Sequence, residues 1–304
     1  MSRRLVVGTR GSPLALAQTN QILESLRDVV PGISYQIVPI RTKGDGGNSW
    51  NTAAQKKDLF TKEIEESLIE GQIDIAIHSM KDLNMNSPTG LVIAAVPKRL
   101  DPRDVLITRE RCKFIQLPAG AKVGTSSARR KAQLLASRGD LEIVELHGNI
   151  GTRIRKVTSG EYDAIVLASA GLVRLGLEAR VSEVISTELM LPAVGQGALA
   201  IQCRATDNEV RRLMVQIEHQ PTREAIQAER AFARKLSADC LTPVAAYARH
   251  KSKAFVIEGM VASPNGRILI RSRLTSQGEN PETVGEELAS RLLAQGAGTI
   301  MEAT

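Results

Sequence analysis

Hydrophobic residues in the first hundred positions alternate between short apolar runs and stretches with helical spacing. The apolar runs predict buried strands at residues 4–9, 33–42, 73–77 and 91–96. Leu16, Leu23 and Leu26 fall on one helical face, which predicts a helix after Pro13, and a second helix is predicted at 59–69. Such alternation is typical of a sheet whose strands are mainly parallel.

The same alternation starts again after residues 101–103. Strands are predicted at 105–108, 121–123, 143–146 and 164–168. Helices are predicted at 127–137 and 151–159. Two similar α/β units in succession predict a bilobed body with a cleft between the lobes, and such clefts are common ligand sites.

From Pro221 the pattern changes to that of a small α+β domain. One helix runs to Leu236, strands joined by the hairpin signal Asn265-Gly266 follow, and a last helix covers 283–293. The sequence therefore predicts an α/β protein of three domains. We assign residues 1–97 and 198–216 to the first lobe, 102–192 to the second and 220–304 to the C-terminal domain.

The chain has 304 residues and a formal net charge of +7. Nucleic acid is the usual partner of a basic protein, but the aromatic content of 3% leaves few side chains on which bases could stack. Two other interpretations of the charge are a solvated basic surface and a positive cleft that binds a ligand with many carboxylates. The placement of the arginines decides between them.

No apolar run approaches the roughly 18 residues of a membrane helix, and the first residues lead directly into a strand with no signal-peptide core. We therefore expect a cytoplasmic protein with no membrane partner. Three cysteines, Cys112, Cys203 and Cys240, are too few and too scattered for a disulfide framework or a four-cysteine zinc site. No metal site is predicted.

Arg129 and Arg130 lie in the first turn of the helix that follows Gly124-Thr125-Ser126-Ser127. Hydroxyl residues there serve as helix caps, but cations near a helix N-terminus oppose the helix dipole. The arginine pair becomes favourable if an anion also binds at this point. The pattern therefore indicates an anion site.

Polar and basic side chains follow several other predicted strands, where sheets of this kind place their ligands. They are Arg10 and Ser12, then His78, Lys81 and Asp82, then His147, Asn149 and Arg153, and finally Arg174. Asp82 has the chemistry of an acid/base group or of a charge stabiliser, whereas His78 fits a packed histidine. Basic residues at so many strand ends favour a cleft for a polycarboxylate.

Two other features of the sequence are weak evidence for a function. Gly195-Gln196-Gly197 is similar to a dinucleotide fingerprint, but the residues after it have the pattern of a strand and not of a helix. Cys240 has no histidine partner nearby in the sequence, and a lone cysteine is usually a small core residue.

In combination these segments resemble the porphobilinogen deaminase family over nearly the whole chain. The shared motifs are Thr9-Arg10-Gly11-Ser12-Pro13-Leu14-Ala15, Asp58-Leu59-Phe60-Thr61-Lys62-Glu63, His78-Ser79-Met80-Lys81-Asp82, Gly124-Thr125-Ser126-Ser127-Ala128-Arg129-Arg130, Gly148-Asn149-Ile150-Gly151-Thr152-Arg153 and Leu191-Pro192-Ala193-Val194-Gly195-Gln196-Gly197-Ala198, together with Cys240. The resemblance implies two lobes like those of periplasmic binding proteins and a third, α+β domain. It also implies an enzyme that joins four porphobilinogens into hydroxymethylbilane and releases ammonia.

The resemblance further implies a dipyrromethane cofactor, linked by a thioether to Cys240, and a monomeric enzyme. Asp82 is implied as the catalytic residue, which stabilises the cationic pyrrole intermediates. The implied cofactor-binding residues are Lys57, Ser79, Lys81, Thr125, Ser127, Arg129, Arg130 and Asn149. The implied substrate-binding residues are Arg10, Ser12, Gln18, His147, Arg153, Arg174 and Gln196. Residues 44–57 are predicted to form a mobile lid.

The sequence departs from the family pattern at three places. His147 stands where the family usually has arginine, Ala238-Asp239 precedes Cys240 in place of Gly-Gly, and Lys56-Lys57-Asp58 replaces Gly-Lys-Gly. A divergent paralogue of low activity, and a non-catalytic small-anion binder of the same bilobed fold, therefore remain alternatives. A nucleic-acid binder is the third class, supported by charge alone.

Overall fold

The computed structural model describes residues 4–46, 60–238 and 242–302. The described part of the chain forms thirteen strands: β1 Leu5–Arg10, β2 Tyr35–Ile40, β3 Ile75–Ser79, β4 Leu91–Ala95, β5 Asp104–Thr108, β6 Lys122–Gly124, β7 Glu142–Val144, β8 Ala164–Ala168, β9 Glu183–Val184, β10 Leu199–Arg204, β11 Val244–Lys251, β12 Ala254–Ala262 and β13 Leu269–Ser276. Its nine α-helices are α1 Pro13–Val29, α2 Lys62–Ile69, α3 Ala128–Ser137, α4 Ile150–Thr158, α5 Ser169–Arg174, α6 Asn208–Met214, α7 Gln220–Lys235, α8 Pro281–Ala294 and α9 Ala297–Glu302.

The chain divides into two compact units. The first unit comprises Met1–Leu100 and Ala198–Arg223, and the second comprises Asp101–Gly197 and Glu224–Thr304. The first unit is built on a five-stranded sheet with the order β2-β1-β3-β10-β4. β2, β1 and β3 are parallel, and β10 is antiparallel to both of its neighbours. Four of the five strands therefore run in one direction.

The second unit contains a sheet of the same topology, with the order β7-β6-β8-β5-β9. Here β5 is the antiparallel strand, between β8 and β9. The predicted α/β class with two similar, mainly parallel sheets is confirmed. In each sheet the antiparallel strand is the first strand after the chain passes from one unit to the other, β5 after Leu100 and β10 after Gly197.

The second unit also holds the predicted C-terminal α+β portion. Its antiparallel sheet has the order β11-β12-β13, and β12 and β13 are joined through Gly266, whose φ of +69° suits a tight turn. Helix α8 packs on this sheet through buried Val284, Leu288 and Leu292. The predicted Asn-Gly hairpin is confirmed.

Local sequence signals set the ends of the helices that carry site residues. Ser12 caps α1, where its Oγ accepts a hydrogen bond from Ala15 N at 3.3 Å and Pro13 takes the first helical position. Ile22, Leu23 and Leu26 then bury one face of α1 against the first sheet. Arg10, at the end of β1, is thereby held next to the start of α1.

Three elements of the structure differ from the prediction. The strand predicted at 33–42 is shorter, at Tyr35–Ile40. Helix α5 and the two-residue strand β9 were not predicted, because six and two residues are too short to show a period. Among the described residues, no helix combines the length and the apolar character that crossing a membrane requires.

Candidate active site

The ends of β1 and β3 border a pocket in the first unit. Its lining includes Arg10, Ser12, Gln18, Ser79 and Asp82. Gln18 Nε2 donates to Ser79 Oγ at 2.7 Å, which ties α1 to the end of β3. Five of the predicted site residues of this unit therefore lie around one pocket.

An aromatic ring supports the arginine of this pocket. The Arg10 guanidinium carbon lies 4.2 Å from the centre of the Phe60 ring, a cation–π contact that holds the guanidinium plane over the ring. Phe60 belongs to the motif Asp58-Leu59-Phe60, and its contact with Arg10 could not be predicted because the two residues are 50 positions apart in the chain.

Lys81 and Asp82 lie on a single 3₁₀ turn, Met80–Asp82, which follows β3 directly. Met80 is buried and anchors the turn, while Lys81 and Asp82 are exposed. The turn thus presents one cation and one carboxylate beyond the carboxyl end of a parallel strand, the position where sheets of this class bind ligands.

His78 also lines the pocket and belongs to a group of buried polar side chains. The Gln202 side chain from β10 donates to Glu65 Oε1 on α2 at 2.9 Å, and all three side chains are buried. Burial lowers the pKa of His78 to about 4, a shift that the nearby Gln202 side chain partly opposes. His78 is therefore neutral at physiological pH, which agrees with its interpretation as a packed residue, although Nε2 has no hydrogen-bond partner among the described residues.

Arg129 and Arg130 of the second unit are buried around the carboxylate of Asp104. Asp104 Oδ1 accepts from Arg130 Nε at 3.0 Å and from Arg130 Nη2 at 2.7 Å, and Asp104 Oδ2 lies 2.8 Å from Arg129 Nη1. The exposed fractions are 0% for Asp104, 4% for Arg129 and 7% for Arg130. The anion that the arginine pair requires at the start of α3 is thus supplied by the chain itself. The sequence interpretation, which considered only a bound anion, was incomplete.

The charges of this arginine cluster (Asp104, Arg129 and Arg130) do not cancel. Burial alone raises the pKa of Asp104, but the charges and hydrogen bonds of the two arginines outweigh burial and lower that pKa to about 2. Two guanidinium groups and one carboxylate leave a net charge of +1. The pKa of Arg153 is lowered by burial and by the charge of Arg130, which indicates that a further cation lies near the cluster.

The other predicted residues of the second unit occupy helix starts and neighbouring loops. Ser127 caps α3, since its Oγ accepts from Arg130 N at 3.4 Å, and Thr125 Oγ1 accepts from Ser127 N at 3.2 Å. Asn149 caps α4 through Thr152 N at 2.9 Å. These hydroxyl and amide groups fix the backbone from which Arg129, Arg130 and Arg153 extend.

Arg174 and Gln196 are held by backbone carbonyls. Arg174 Nη2 donates to Gly197 O at 3.0 Å, and burial lowers the pKa of Arg174 to about 10. Gln196 is 1% exposed, and its Nε2 donates to Pro102 O at 2.6 Å and to Asp104 Oδ1 at 3.0 Å. Both amide hydrogens of Gln196 therefore have acceptors within the protein, so direct donation to a substrate would require that one of these bonds break.

Two family models match the chain. One, described as "Porphobilinogen deaminase, dipyromethane cofactor binding domain", matches residues 5–212, and the other, described as the C-terminal domain of porphobilinogen deaminase, matches residues 223–294. The chain is 49% identical to the porphobilinogen deaminase of Desulforudis audaxviator, over 99% of this chain and 98% of that protein.

The chain belongs to the porphobilinogen deaminase family. It is also 46% identical to the porphobilinogen deaminase of Brevibacillus brevis, over 97% of this chain and 96% of that protein. Among solved structures, a putative methionine-binding lipoprotein of Bacillus subtilis is similar, with 15% identity and a TM-score of 0.44 over 71% of this chain and 91% of that one. The family resemblance predicted from the motifs is confirmed.

The residues of the second unit fit the dipyrromethane of this porphobilinogen deaminase family. That group carries acetate and propionate side chains, and guanidinium groups pair well with carboxylates. The arginine cluster has a net positive charge, and Arg129 Nε is buried with no acceptor among the described residues. A carboxylate ligand would supply such an acceptor.

His147 lies on the surface of the second unit. The His147 side chain is 74% exposed, and its Nε2 lies 3.1 Å from Glu145 Oε2. Cys240 and Lys57 lie outside the described residues, as does most of the predicted lid at 44–57. Their roles stay predictions.

His78 generates a prediction on acid stability. Because its pKa is near 4 in the folded protein and about 6.5 when unfolded, the unfolded state binds the proton first as the pH falls. The resulting loss of stability begins near pH 6.5 and is complete near pH 4, at about 3 kcal/mol. We expect His78→Gln to lose less stability over this interval, as measured by urea unfolding at several pH values.

His147→Gln is the matched control, since His147 is exposed, and its pH dependence is expected to follow the wild type. Equal acid destabilisation of His78→Gln and wild type would contradict this account of the buried histidine.

Proposed function

We propose that this chain is a hydroxymethylbilane synthase, or porphobilinogen deaminase, which joins four porphobilinogens head to tail and releases ammonia. We further propose that it carries a dipyrromethane as a thioether on Cys240. The observation that carries this proposal is the match of residues 5–212 to the dipyrromethane-binding domain, a stretch that contains Asp82 and the whole arginine cluster. When bound, the dipyrromethane supplies the pyrrole carbon on which the product is built.

The second unit serves to hold carboxylates in this proposal. Arg129 and Arg130, with their net positive charge, bind acetate and propionate groups of the cofactor, and the N–H groups at the start of α3 lie beside them. Thr125, Ser127 and Asn149 fix that backbone and add polar contacts. Arg153 and Arg174 bind carboxylates of incoming substrate, because burial lowers the pKa of both guanidinium groups and a carboxylate beside them stabilises the charged form.

The first unit contributes the catalytic group. Porphobilinogen becomes cationic as ammonia leaves and again before its ring loses a proton, so a fixed carboxylate next to the ring lowers both barriers. Asp82 is exposed on the lining of its pocket, where it can approach a bound ring. The carboxylates and polar groups of the ligand are bound near Asp82 by four side chains, those of Lys81, Arg10, Ser12 and Ser79. Gln18 orients Ser79.

The departures from the family pattern modify affinity in this proposal and leave the chemistry intact. His147 is exposed and beside Glu145, so it binds a carboxylate less strongly than the arginine usual at this position. Asp82 and Cys240 are both present, which favours an active enzyme over a paralogue without activity. We also propose that Gln196 acts on the substrate mainly through Asp104, that Lys57 binds cofactor, and that residues 44–57 form a lid.

We propose that the enzyme works as a cytoplasmic monomer without nucleic acid. Several of its arginines pair with carboxylates of the protein and are buried or half-buried, so they are poorly placed to contact the phosphates of a nucleic acid. The three predicted domains, 1–97 with 198–216, 102–192 and 220–304, remain our proposed division of function, with the last carrying the cofactor cysteine.

The direct test is the intact mass of the purified protein. We expect a mass excess equal to two condensed pyrroles, located by peptide mapping at Cys240 and absent in Cys240→Ser. Cys112→Ser is the control and retains the adduct. A wild-type protein that stays unmodified after incubation with porphobilinogen, or an adduct on another cysteine, would contradict the proposal.

Asp82→Asn tests the catalytic assignment. The two side chains are nearly equal in size and the position is exposed, so the thermal midpoint is expected to stay within about 1 °C of the wild type, since surface substitutions change stability little. The kcat is expected to fall by about 10² or more, the scale for removing an electrostatic or acid/base group. Steady-state formation of hydroxymethylbilane measures it, and an unchanged kcat would rule out the role.

A further inference from the structure

Asp104 is the acceptor on which both arginines of the cluster converge. Its Oδ1 accepts three hydrogen bonds, two from Arg130 and one from Gln196, and its Oδ2 faces Arg129. Asp104 is the first residue of β5, where its backbone pairs with Ala168 at the end of β8. The carboxylate therefore sits on a rigid part of the second sheet.

Each arginine has a second fixed acceptor on the backbone. Arg129 Nη1 donates to Leu191 O at 2.7 Å, and Arg130 Nη1 donates to Val166 O at 3.1 Å. A guanidinium group is planar, so two fixed oxygen atoms within reach restrict its orientation. With Asp104 and these carbonyls in place, neither arginine can turn without breaking buried hydrogen bonds.

The segment that carries Gln196 is also held by a second buried carboxylate. Glu229 on α7 is 0% exposed, and its two oxygens accept from Gly195 N at 2.7 Å and from Ala248 N at 2.9 Å. Helix α7 ends at Lys235, five residues before Cys240. A continuous set of contacts thus runs from the helix that precedes the cofactor cysteine, through Gln196 and Asp104, to the two arginines.

We propose that Asp104 is a positioning residue for cofactor uptake, which holds Arg129 and Arg130 in the orientation that receives the carboxylates of the dipyrromethane. This inference rests on the proposed function. Asp104 does not touch the ligand in this account. It acts through the arginines, and Gln196 and Glu229 connect it to helix α7.

Whether cofactor uptake rises or falls in one variant distinguishes positioning of the arginines from attraction by charge alone. Asp104→Asn is nearly isosteric, and it raises the net charge of the cluster from +1 to +2. If the arginines attracted carboxylates by charge alone, the variant would take up the anionic cofactor as well as the wild type or better. If Asp104 positions them, uptake falls even though the site has become more positive.

The experiment measures cofactor loading. Each protein is produced without its cofactor, in cells that cannot make porphobilinogen, and is then incubated with porphobilinogen while the modified fraction is followed by intact mass over time. We expect Asp104→Asn to load at least about tenfold more slowly than the wild type, the scale on which supporting partners of a bound group act. Asp101→Asn is the matched control, because it removes the same charge three residues away, where Asp101 pairs with Arg103. It is expected to load like the wild type.

A second control separates positioning from loss of stability. Val157→Ala truncates a buried side chain of the same unit, on α4, and lowers the thermal midpoint without changing the cluster. Loading is compared at temperatures equally far below the midpoint of each variant. If Asp104→Asn loads as fast as the wild type, or no more slowly than Val157→Ala, the proposal is wrong.

Two further variants keep the result interpretable. Arg130→Leu is measured in parallel: normal loading in that variant would refute the proposed arginine site itself, whereas a defect in Arg130→Leu with normal loading in Asp104→Asn refutes only the positioning role. If Asp104→Asn gives no folded protein, Gln196→Met removes one donor to Asp104 and leaves the charges unchanged. We expect a loading defect of about threefold or more, the scale of one lost hydrogen bond, and unchanged loading would overturn the proposal.

Discussion

The second unit depends on one carboxylate buried between two guanidinium groups. Asp104 begins β5, Arg129 and Arg130 begin α3, and Gln196 precedes β10, so four charged or polar side chains from three separate segments meet at one point. Each charge is acceptable in the interior only while the others are present, because removing one partner of a buried pair costs about 3–5 kcal/mol. The position of each of these three segments therefore depends on the positions of the other two.

This constraint connects the fold to the chemistry that the family requires. A site for a ligand with several carboxylates needs fixed cations, yet two adjacent arginines in the first turn of a helix repel each other and oppose the helix dipole. One internal carboxylate removes most of that repulsion and still leaves a positive charge for the ligand. The first unit has a different organisation, in which Asp82 and Lys81 remain exposed on a short turn beside a pocket.

Much of the fold could be predicted from the sequence, because the periodicity of apolar residues is local. The alternation of strands and helices, the cap at Ser12 and the hairpin at Gly266 all depend on residues within a few positions of one another. The position of Arg10, Ser79 and Asp82 around one pocket followed from the rule that parallel strands end at the same edge of a sheet.

The partner of the arginines could not be predicted in the same way. Asp104 precedes Arg129 by 25 residues in the sequence, and only the order of strands in the sheet brings them together. Two signals were nevertheless present. An acidic residue at the first position of a buried strand requires a cation, and Glu229 lies on the apolar face of α7 that Ala225 and Phe232 define, where a carboxylate requires buried donors.

The most direct measurement on the central claim is the titration of the Asp104 carboxyl group by carbon-13 NMR in the cofactor-free protein, with Asp104→Asn used to assign the signal. Because the charges of Arg129 and Arg130 lower its pKa to about 2, the carboxyl carbon is expected to keep the chemical shift of the ionised form down to pH 3. The folded protein then gains stability from this group above its unfolded pKa of about 3.9 and loses it as the pH falls toward 2. A midpoint at or above pH 4 would show that the carboxylate is not held between the two arginines, and would contradict the account.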